Sequence, residues 1–202
     1  MIGLRRALGR ATVAAHVEGR ALRSKIFTIL ARGAFAHVGA RTVLELPIRL
    51  TGEAGIAIGD DVYVGSGSWL QVLGSAPAGP RVEIGNGTSI AGTCTISAAE
   101  SVRIGERVLL ARNVYIADHS HAFEDVHLPI LDQGIDRVAP VTIEDGAWLC
   151  ENVVICPGVR IGRGAVVGAN SVVLQDVPDQ SVAVGAPARV VRQFGRVVEL
   201  AQ

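Results

Sequence analysis

An aliphatic side chain recurs at every sixth position over residues 143–173, and a second small or aliphatic residue follows four positions after each. The two sets are Ile143, Leu149, Ile155, Ile161, Val167 and Val173, and Ala147, Val153, Val159, Ala165, Ser171 and Val177. A period of six fits neither the 3.6-residue turn of a helix nor the two-residue alternation of a strand. It is typical of a parallel β-helix, in which each hexad forms one face of a triangular prism.

The same pattern occurs earlier in three shorter blocks of hexads. Their aliphatic residues are Ile58, Val64 and Leu70, then Ile84, Ile90 and Ile96, then Ile104, Leu110 and Ile116. Three hexads make one coil, so the chain predicts an all-β fold of about five coils. At the strand spacing of about 4.8 Å, the prism would be on the order of 25 Å tall. A sandwich of short strands is the alternative, and it would need the period to arise by coincidence.

The repeat is interrupted in three places. Residues 74–80 are rich in glycine and proline and predict a turn or a bulging loop. A slip of two residues between Ile96 and Ile104 predicts one widened corner. The longest interruption predicts a loop, residues 118–140, that leaves the prism. Long loops on regular scaffolds tend to be functional, because regular coils cannot shape a pocket by themselves.

Composition fits one domain with a narrow core, since 49% of the 202 residues are hydrophobic and only 4% are aromatic. No stretch is apolar enough to span a bilayer, and the first 32 residues lack the apolar segment of a secretory signal. We therefore expect a cytoplasmic protein. Cys94, Cys150 and Cys156 are odd in number and have no metal-ligand spacing, so we expect reduced thiols.

The net charge of zero conceals a basic N-terminal segment. Its single acidic residue is Glu18, and its basic residues are Arg5, Arg6, Arg10, Arg20, Arg23, Lys25 and Arg32. Apolar residues at helical spacing predict one or two amphipathic helices here. Such helices can pack on the prism or on a neighbouring subunit. The alternative is that residues 1–35 contact an anionic membrane. The protein would then lie at the inner face of that membrane. One aromatic residue, Phe27, and no reader motif argue against nucleic-acid binding.

These observations divide the chain into three segments. We expect a basic amphipathic helical extension over 1–45, the parallel β-helix with its loop over 46–185, and a C-terminal tail over 186–202.

The loop contains three of the five histidines, His119, His121 and His127. A histidine can accept a proton near neutral pH, and a neighbouring carboxylate can fix its tautomer and stabilise the imidazolium. A solvated polar loop is the alternative interpretation. The position of the cluster, where a strict repeat is abandoned, favours a catalytic function.

The chain resembles the hexapeptide-repeat acyltransferases in residues 141–162, which read VTIEDGAWLCENVVICPGVRIG. The later segments GANSVV, DVP and GAPAR continue the resemblance. The resemblance is to the maltose, galactoside and serine O-acetyltransferases, and it covers about residues 56–192. It implies a left-handed parallel β-helix, a homotrimer, and acetyl-CoA bound between adjacent subunits, with no metal. The implied reaction is direct attack of an acceptor hydroxyl on the thioester.

The resemblance also implies roles for single residues. An ungapped alignment of residues 110–116 puts the family's general base on His121, with His119 in reserve, and Asp118, Glu124 or Asp125 would orient the ring. Trp148, Phe123 and Asp125 would contact substrate. The acyl donor would be held by Gly168, Ala169, Ser171, Gly185, Ala186, Arg189 and Arg192, the arginines suiting its phosphates.

The chain departs from its family in places that bear on specificity. Leu174-Gln175 stands where many relatives have Thr-Lys, Cys150 replaces a usual glycine, and residues 90–94 lack the asparagines of the maltose and galactoside enzymes. Their sugar specificity is therefore not transferred. The expected acceptor is a hydroxyl of a surface polysaccharide, its lipid-linked precursor or a nucleotide sugar.

Two rival functions use the same fold. A zinc enzyme of the γ-carbonic anhydrase type would employ His119, His121 and His127 as ligands, although their spacing does not resemble that family's dispersed ligands. A non-catalytic scaffold would leave the histidines without a role.

Overall fold

A computed structural model describes residues 2–74 and 79–194 of the chain. It contains one long helix, α1 (Ile2–Ala31), three short 3-10 turns (Arg32–Ala34, Glu53–Gly55 and Ile130–Asp132) and many short strands. The strands before the long loop are β1 (His37–Val38), β2 (Val43–Leu44), β3 (Arg49–Thr51), β4 (Ile56–Ile58), β5 (Tyr63–Val64), β6 (Trp69–Val72), β7 (Val82–Ile84), β8 (Ser89–Ile90), β9 (Thr95–Ala98), β10 (Val102–Ile104), β11 (Leu109–Leu110) and β12 (Tyr115–Ala117). The remaining strands are β13 (Ser120–His121), β14 (Ile135–Asp136), β15 (Val141–Ile143), β16 (Trp148–Leu149), β17 (Val154–Ile155), β18 (Arg160–Ile161), β19 (Val166–Val167), β20 (Val172–Val173), β21 (Ser181–Gly185) and β22 (Ala188–Gln193).

The strands stack into three sheets that form the faces of a triangular prism. The first face holds β1, β4, β7, β10, β15 and β18, and the third holds β3, β6, β9, β12, β17 and β20. The second face holds β2, β5, β8, β11, β16, β19 and β21, all paired in parallel, and β22 closes it in antiparallel pairing. Register keeps the hexads aligned, since Leu110 lies between Ile90 and Leu149. The predicted parallel β-helix is therefore confirmed.

The prism contains one more coil than the sequence pattern predicts, because the first and third faces each hold 6 strands. The additional coil is N-terminal and contains Val38, Leu44 and Leu50, which continue the six-residue spacing. Helix α1 ends at Ala31 and β1 begins at His37, inside the segment 1–45 for which the sequence predicts helix.

The hexad residues fill the interior. All of those predicted to point inward are buried, none being more than 3% exposed, and the second set, from Ala147 to Val177, is buried as well. Because aliphatic side chains of similar size repeat at matched positions, they stack in columns along the prism axis. This stacked aliphatic core is the main source of the stability of the fold.

The edge between the second and third faces is lined by asparagines. Asn113, Asn152 and Asn170 have φ values of 60°, 59° and 59°. Asparagine occupies this left-handed region more readily than most residues, because its short amide can form local hydrogen bonds. The amide of Asn113 donates to Asn152 Oδ1 at 3.1 Å, and that of Asn152 donates to Asn170 Oδ1 at 2.9 Å. The ladder ties three successive coils together.

The C-terminal part of α1 caps the N-terminal end of the second face. Thr28 Oγ1 accepts the backbone N–H of Leu44 at 2.9 Å, and Ser24 Oγ accepts that of Leu46 at 3.1 Å. Unpaired N–H groups at a sheet edge would otherwise be open to another strand. Phe27 packs against the core beside them. No helix within the described residues is long and apolar enough to cross a bilayer.

The loop 118–140 leaves the third face after β12 and returns to the first face at β15. Within it, β13 and β14 form a small antiparallel ribbon. The N–H of Ala139 donates to the carbonyl of Asp118 at 2.8 Å and closes the base of the loop. The loop therefore stands on the corner between the third and first faces.

Two other predicted segments are described in part. Residues 75–78 of the interruption at 74–80 lie outside the described residues. In the tail 186–202, β22 pairs antiparallel with β21, while residues 195–202 lie outside the described residues.

Candidate active site

The first residue of the loop, Asp118, is fully buried and anchors it. Its Oδ1 accepts the backbone N–H of Ala99 at 2.8 Å, and its Oδ2 accepts those of Glu100 and Ser101, each at 2.7 Å. These donors belong to the corner between β9 and β10, where the sequence predicts widening. His119 Nδ1 lies 2.7 Å from Asp118 Oδ1. One carboxylate thus joins the base of the loop to the preceding coil and to a histidine.

The pKa of Asp118 lies below its ordinary value. Burial acts to raise this pKa, but the backbone donors and His119 favour the charged form more strongly. The carboxylate is therefore ionised at neutral pH and accepts the proton on His119 Nδ1. In the tautomer that carries its proton on Nδ1, the lone pair of the ring lies on Nε2. The His119 side chain is only 11% exposed, so the pair is mostly enclosed.

His121 lies two residues further on, in β13, and is exposed. The backbone of its strand is held by β14, where Ser120 pairs with Asp136 and His121 with Ile135. The Ser120 hydroxyl donates to Asp136 Oδ1 at 3.0 Å, which adds a side-chain link across the ribbon. His121 thus extends from a short, supported ribbon and is accessible to a substrate.

The other acidic residues of the loop bond within the loop. Asp125 Oδ1 accepts the backbone N–H of His127 at 2.8 Å, and Glu124 forms an exposed ion pair with Arg137 at 3.4 Å. The Arg137 guanidinium also lies 4.8 Å from the ring centroid of Phe123, which is half exposed. Of the three carboxylates considered for orienting a histidine, the structure brings only Asp118 to an imidazole.

Trp148 lies on the second face, in β16, between Leu109 of β11 and Val166 of β19. Its side chain is 44% exposed and that of Leu109 is 45% exposed. The outward side of this face is therefore an apolar surface with an aromatic ring at its centre. The ring does not lie on the corner that carries the loop.

The residues expected to hold the acyl donor form a group at the C-terminal end of the second face. Ser171 is buried, and its hydroxyl accepts the N–H of Gly185 at 3.0 Å. A Cβ on Gly168 would lie 2.7 Å from a methyl of Val184, so this glycine permits close packing. Exposed Ala169 is next to Gly168, and Ala186 follows Gly185 in the turn between β21 and β22.

The two arginines of this group lie on β22. Arg189 pairs with Val184 of β21, and Arg192 pairs with Val182 and stacks over Phe194. Both side chains are exposed at the end of the face that carries Trp148.

The two groups of predicted site residues lie on different sides of one prism. The histidines stand on the corner between the third and first faces, and in a triangular prism that corner is opposite the second face. Trp148 and the donor group lie on the second face and its edge with the third. A single copy therefore does not bring His121 and Trp148 together.

The loop histidines are not arranged as a metal site within one copy. Within the described ranges, no three or more histidine, cysteine or carboxylate side chains are arranged to hold a metal ion. The zinc-enzyme alternative therefore gains no support from the geometry.

The sequence does not predict that the corner at residues 99–101 anchors the loop. The two-residue slip between Ile96 and Ile104 signalled it, but the pattern does not say that three consecutive N–H groups would bind the carboxylate of Asp118.

Comparisons with known proteins identify relatives of the chain. Residues 140–175 match the family described as bacterial transferase hexapeptide (six repeats). A protein of Mycobacterium tuberculosis named as an acetyltransferase is 38% identical over 140 residues, which cover 69% of this chain and 44% of that protein. An Escherichia coli K12 protein, whose name assigns it to lipopolysaccharide biosynthesis as an O-acetyl transferase, is 29% identical over 78% of this chain and 82% of its own length.

A solved structure extends the likeness to nearly the whole chain. The hexapeptide-repeat acetyltransferase VCA0836 of Vibrio cholerae is 28% identical, with a TM-score of 0.58 over 96% of this chain and 92% of that protein. The same protein has also been solved in complex with acetyl-CoA. This chain spans less than half of the mycobacterial relative but most of the other two. Residues 140–175 thus carry the repeat of the bacterial hexapeptide transferases, and the chain has the left-handed parallel β-helix fold of the hexapeptide-repeat acetyltransferases that it resembles.

Proposed function

We propose that the protein transfers an acetyl group from acetyl-CoA to a hydroxyl of a sugar or surface polysaccharide precursor. The observation that carries the proposal is the anchored loop, in which the exposed His121 follows the buried Asp118 and the mostly enclosed His119 at the longest interruption of the repeat. Relatives that are named as acetyltransferases support the reaction class.

The general base in this proposal is His121. A base must come within hydrogen-bond reach of the proton that it removes, and His121 is exposed, whereas His119 is mostly enclosed. His119 and Asp118 act as the anchor that fixes where the ribbon begins. His119 stays in reserve as base, because its free Nε2 and its carboxylate partner have the chemistry of an oriented imidazole.

The reaction requires one proton to be moved twice. His121 Nε2 or Nδ1 removes the proton of the acceptor hydroxyl while the oxygen attacks the thioester carbonyl. The tetrahedral intermediate then collapses, the C–S bond breaks, and the imidazolium returns the proton to the CoA thiolate. Alignment of the groups supplies several kcal/mol of the barrier reduction, and base catalysis contributes about 10²- to 10⁴-fold.

The acyl donor would lie along the second face of a neighbouring copy. Gly168, Ala169 and Gly185 allow close approach of the pantetheine arm, Arg189 and Arg192 are available to its phosphates, and Trp148 walls the channel. Because His121 and Trp148 lie on different sides of one prism, a complete site requires two copies. A homotrimer closes such contacts in a ring of three equivalent sites.

The acceptor side would be formed by the loop and the neighbouring second face, with Phe123 and Asp125 near the hydroxyl. A polysaccharide precursor is assembled at a membrane, and acetyl-CoA is cytoplasmic, so the proposal puts the enzyme in the cytoplasm. Contact of residues 1–35 with the membrane would suit the same function.

The test is release of CoA thiol from acetyl-CoA, measured across a panel of sugars and glycans. We expect His121→Ala to lower turnover by about 10²- to 10⁴-fold without changing the melting temperature. His127→Ala is the matched control, because it removes another exposed imidazole of the same loop, and it should retain near-native turnover.

Two outcomes would contradict the proposal in different ways. Loss of turnover in His119→Ala with near-native turnover in His121→Ala would move the base to His119. If the native protein neither binds nor turns over acetyl-CoA with any acceptor, the non-catalytic scaffold would be the better description.

A further inference from the structure

Helix α1 contacts the prism with one side only and leaves an apolar side free. It is 30 residues long, which is about 45 Å at 1.5 Å per residue. Ser24 and Thr28 are each 1% exposed against the sheet edge. Leu22 and Ile26 precede them by two residues, which is about 200° around a helix. They therefore point away from the prism, and they are 59% and 48% exposed.

The outward side of Leu22 and Ile26 continues along the helix as a stripe. Residues spaced by three, four or seven positions share one side of a helix, and here they are Leu4, Leu8, Ala11, Ala15, Leu22, Ile26 and Ile29. All of them are exposed. Arg5 and Arg23 border the stripe on one side. We call this surface the outer stripe.

A cavity of about 570 Å³ lies between the end of α1 and the first coil, and it adjoins the outer stripe. Its walls include Lys25 and Arg32 from the helix end, Arg41 from the coil, and apolar Ile29 and Val43. Arg41 is paired with Asp61. Among the described residues, Lys25 and Arg32 form no ion pair, and Arg32 instead donates to the carbonyl of Gly39 at 3.1 Å. The cavity thus combines two uncompensated cations with an apolar wall that belongs to the stripe.

We propose that α1 binds an anionic lipid bilayer, with the outer stripe in the acyl boundary and a headgroup phosphate held by Lys25 and Arg32. A helix with one apolar side and basic residues along its borders lies in the plane of such an interface. The charge of the segment complements an anionic leaflet, because Glu18 is its single acidic residue. The inference deepens the proposed function, since it puts the enzyme where a lipid-linked acceptor would be.

A second copy of the helix fits the outer stripe less well than a bilayer does. A coiled-coil seam needs apolar residues at two positions of each heptad. The first of these heptad positions is apolar throughout, with Leu8, Ala15, Leu22 and Ile29. The second is apolar at Leu4 and Ala11 but charged at Glu18 and Lys25. The seam would therefore place two charged side chains in the middle of the contact, whereas at a membrane surface both can remain in water.

Vesicle flotation of the full chain tests the proposal. We expect binding to phosphatidylcholine vesicles that contain phosphatidylglycerol, little binding to phosphatidylcholine alone, and weakening by salt. Replacing Leu22 and Ile26 by Asn should abolish binding. The matched control is Val13→Asn with Val17→Asn, which removes two exposed apolar residues from another side of the same helix and should leave binding intact.

A second pair of variants tests the headgroup site. Lys25→Gln with Arg32→Gln should weaken binding about 25-fold, since each basic residue near an anionic surface contributes roughly a five-fold change. Arg6→Gln with Arg10→Gln removes the same charge from a different side of the helix, and its loss should be clearly smaller. Equal losses would contradict a headgroup site at the cavity and indicate attraction by net charge alone.

The remaining outcomes also decide the matter. The proposal is wrong if the native chain does not float with anionic vesicles, or if Leu22→Asn with Ile26→Asn lowers the mass of the assembly in light scattering and leaves flotation unchanged. The latter result would assign the stripe to a contact between copies. Flotation needs no acyl donor, so failure here and failure of acetyl transfer are distinguishable.

Discussion

The coil stack at residues 143–173 and the loop at 118–140 use apolar side chains in opposite ways. In the stack, the aliphatic residues are buried against the coils of their own chain. In the loop, Val126 and Leu131 are 87% and 86% exposed. The stack is therefore complete within one copy, whereas the loop holds apolar surface that one copy does not cover. The contrast separates the part whose packing stabilises the fold from a part whose apolar surface stays exposed in one copy.

The largest difference in stability between the two regions should come from the core. Leu149→Ala removes a fully buried side chain from the second face and should lower the free energy of unfolding by about 2–5 kcal/mol. Chemical denaturation followed by circular dichroism measures the change. A loss below about 1 kcal/mol would mean that neighbouring coils collapse into the cavity and that the stack is softer than its packing indicates.

Asp118 joins the two regions, so its replacement should have the next largest effect. Asp118→Asn keeps the shape but gives the three backbone donors and His119 a weaker, uncharged partner, and should cost about 1–3 kcal/mol. The pKa of this carboxyl is lower in the folded protein than its ordinary value of 3.8. Its stabilisation is therefore complete above that value and is lost as the pH falls through the folded pKa.

Acid unfolding measures this contribution directly. Below about pH 4, the free energy of unfolding of Asp118→Asn should fall less steeply with decreasing pH than that of the native protein. Parallel acid limbs for the two proteins would contradict an ionised anchor at the base of the loop.

The asparagine edge of the stack should contribute less. Asn152→Ala combines loss of the amide ladder with a left-handed backbone that alanine tolerates poorly, and should cost about 1–2 kcal/mol. Asn152→Gly is the matched variant, because it keeps the backbone freedom and loses only the ladder. Thermal unfolding of both separates the two causes, and an equally large loss in the glycine variant would assign the effect to the amide.

The smallest effect is expected at the tip of the loop. Leu131→Ala should change the stability of an isolated copy by no more than about 0.5 kcal/mol, because the side chain is exposed there. The free energy of unfolding should also be measured at a protein concentration that maintains the assembly. A clear loss of stability under that condition would mean that a neighbouring copy covers Leu131.

The inward positions of the stack could be predicted from the sequence, because the buried residues recur at every sixth position along the chain. The trio Val38, Leu44 and Leu50 obeys that period too, yet it adjoins a helical segment and Pro47, which obscured the first coil. The capping of its edge by Ser24 and Thr28 depends on contacts between distant residues, which no local pattern records.

Part of the candidate site could also be predicted from the sequence, and part depends on how the coils stack. The position of the loop and its histidines follows from the interruption of the repeat. The pairing of Asp118 with His119 rather than His121 depends on the geometry of the corner at 99–101 and could not be read from spacing. The separation of His121 and Trp148 on different sides of the prism follows from the order of faces, which becomes clear only once the coils are stacked.

The most direct test of a site built by two copies is a mixed assembly of two inactive variants. His121→Ala removes the base, and Ala169→Trp places a bulky side chain at an exposed position of the donor face. After equal mixing by co-expression, a site shared between neighbours in a closed ring should recover about one quarter of native activity, because one copy supplies His121 and its neighbour an intact donor face. Activity no higher than that of the separate variants would contradict the account and place the whole site within one chain.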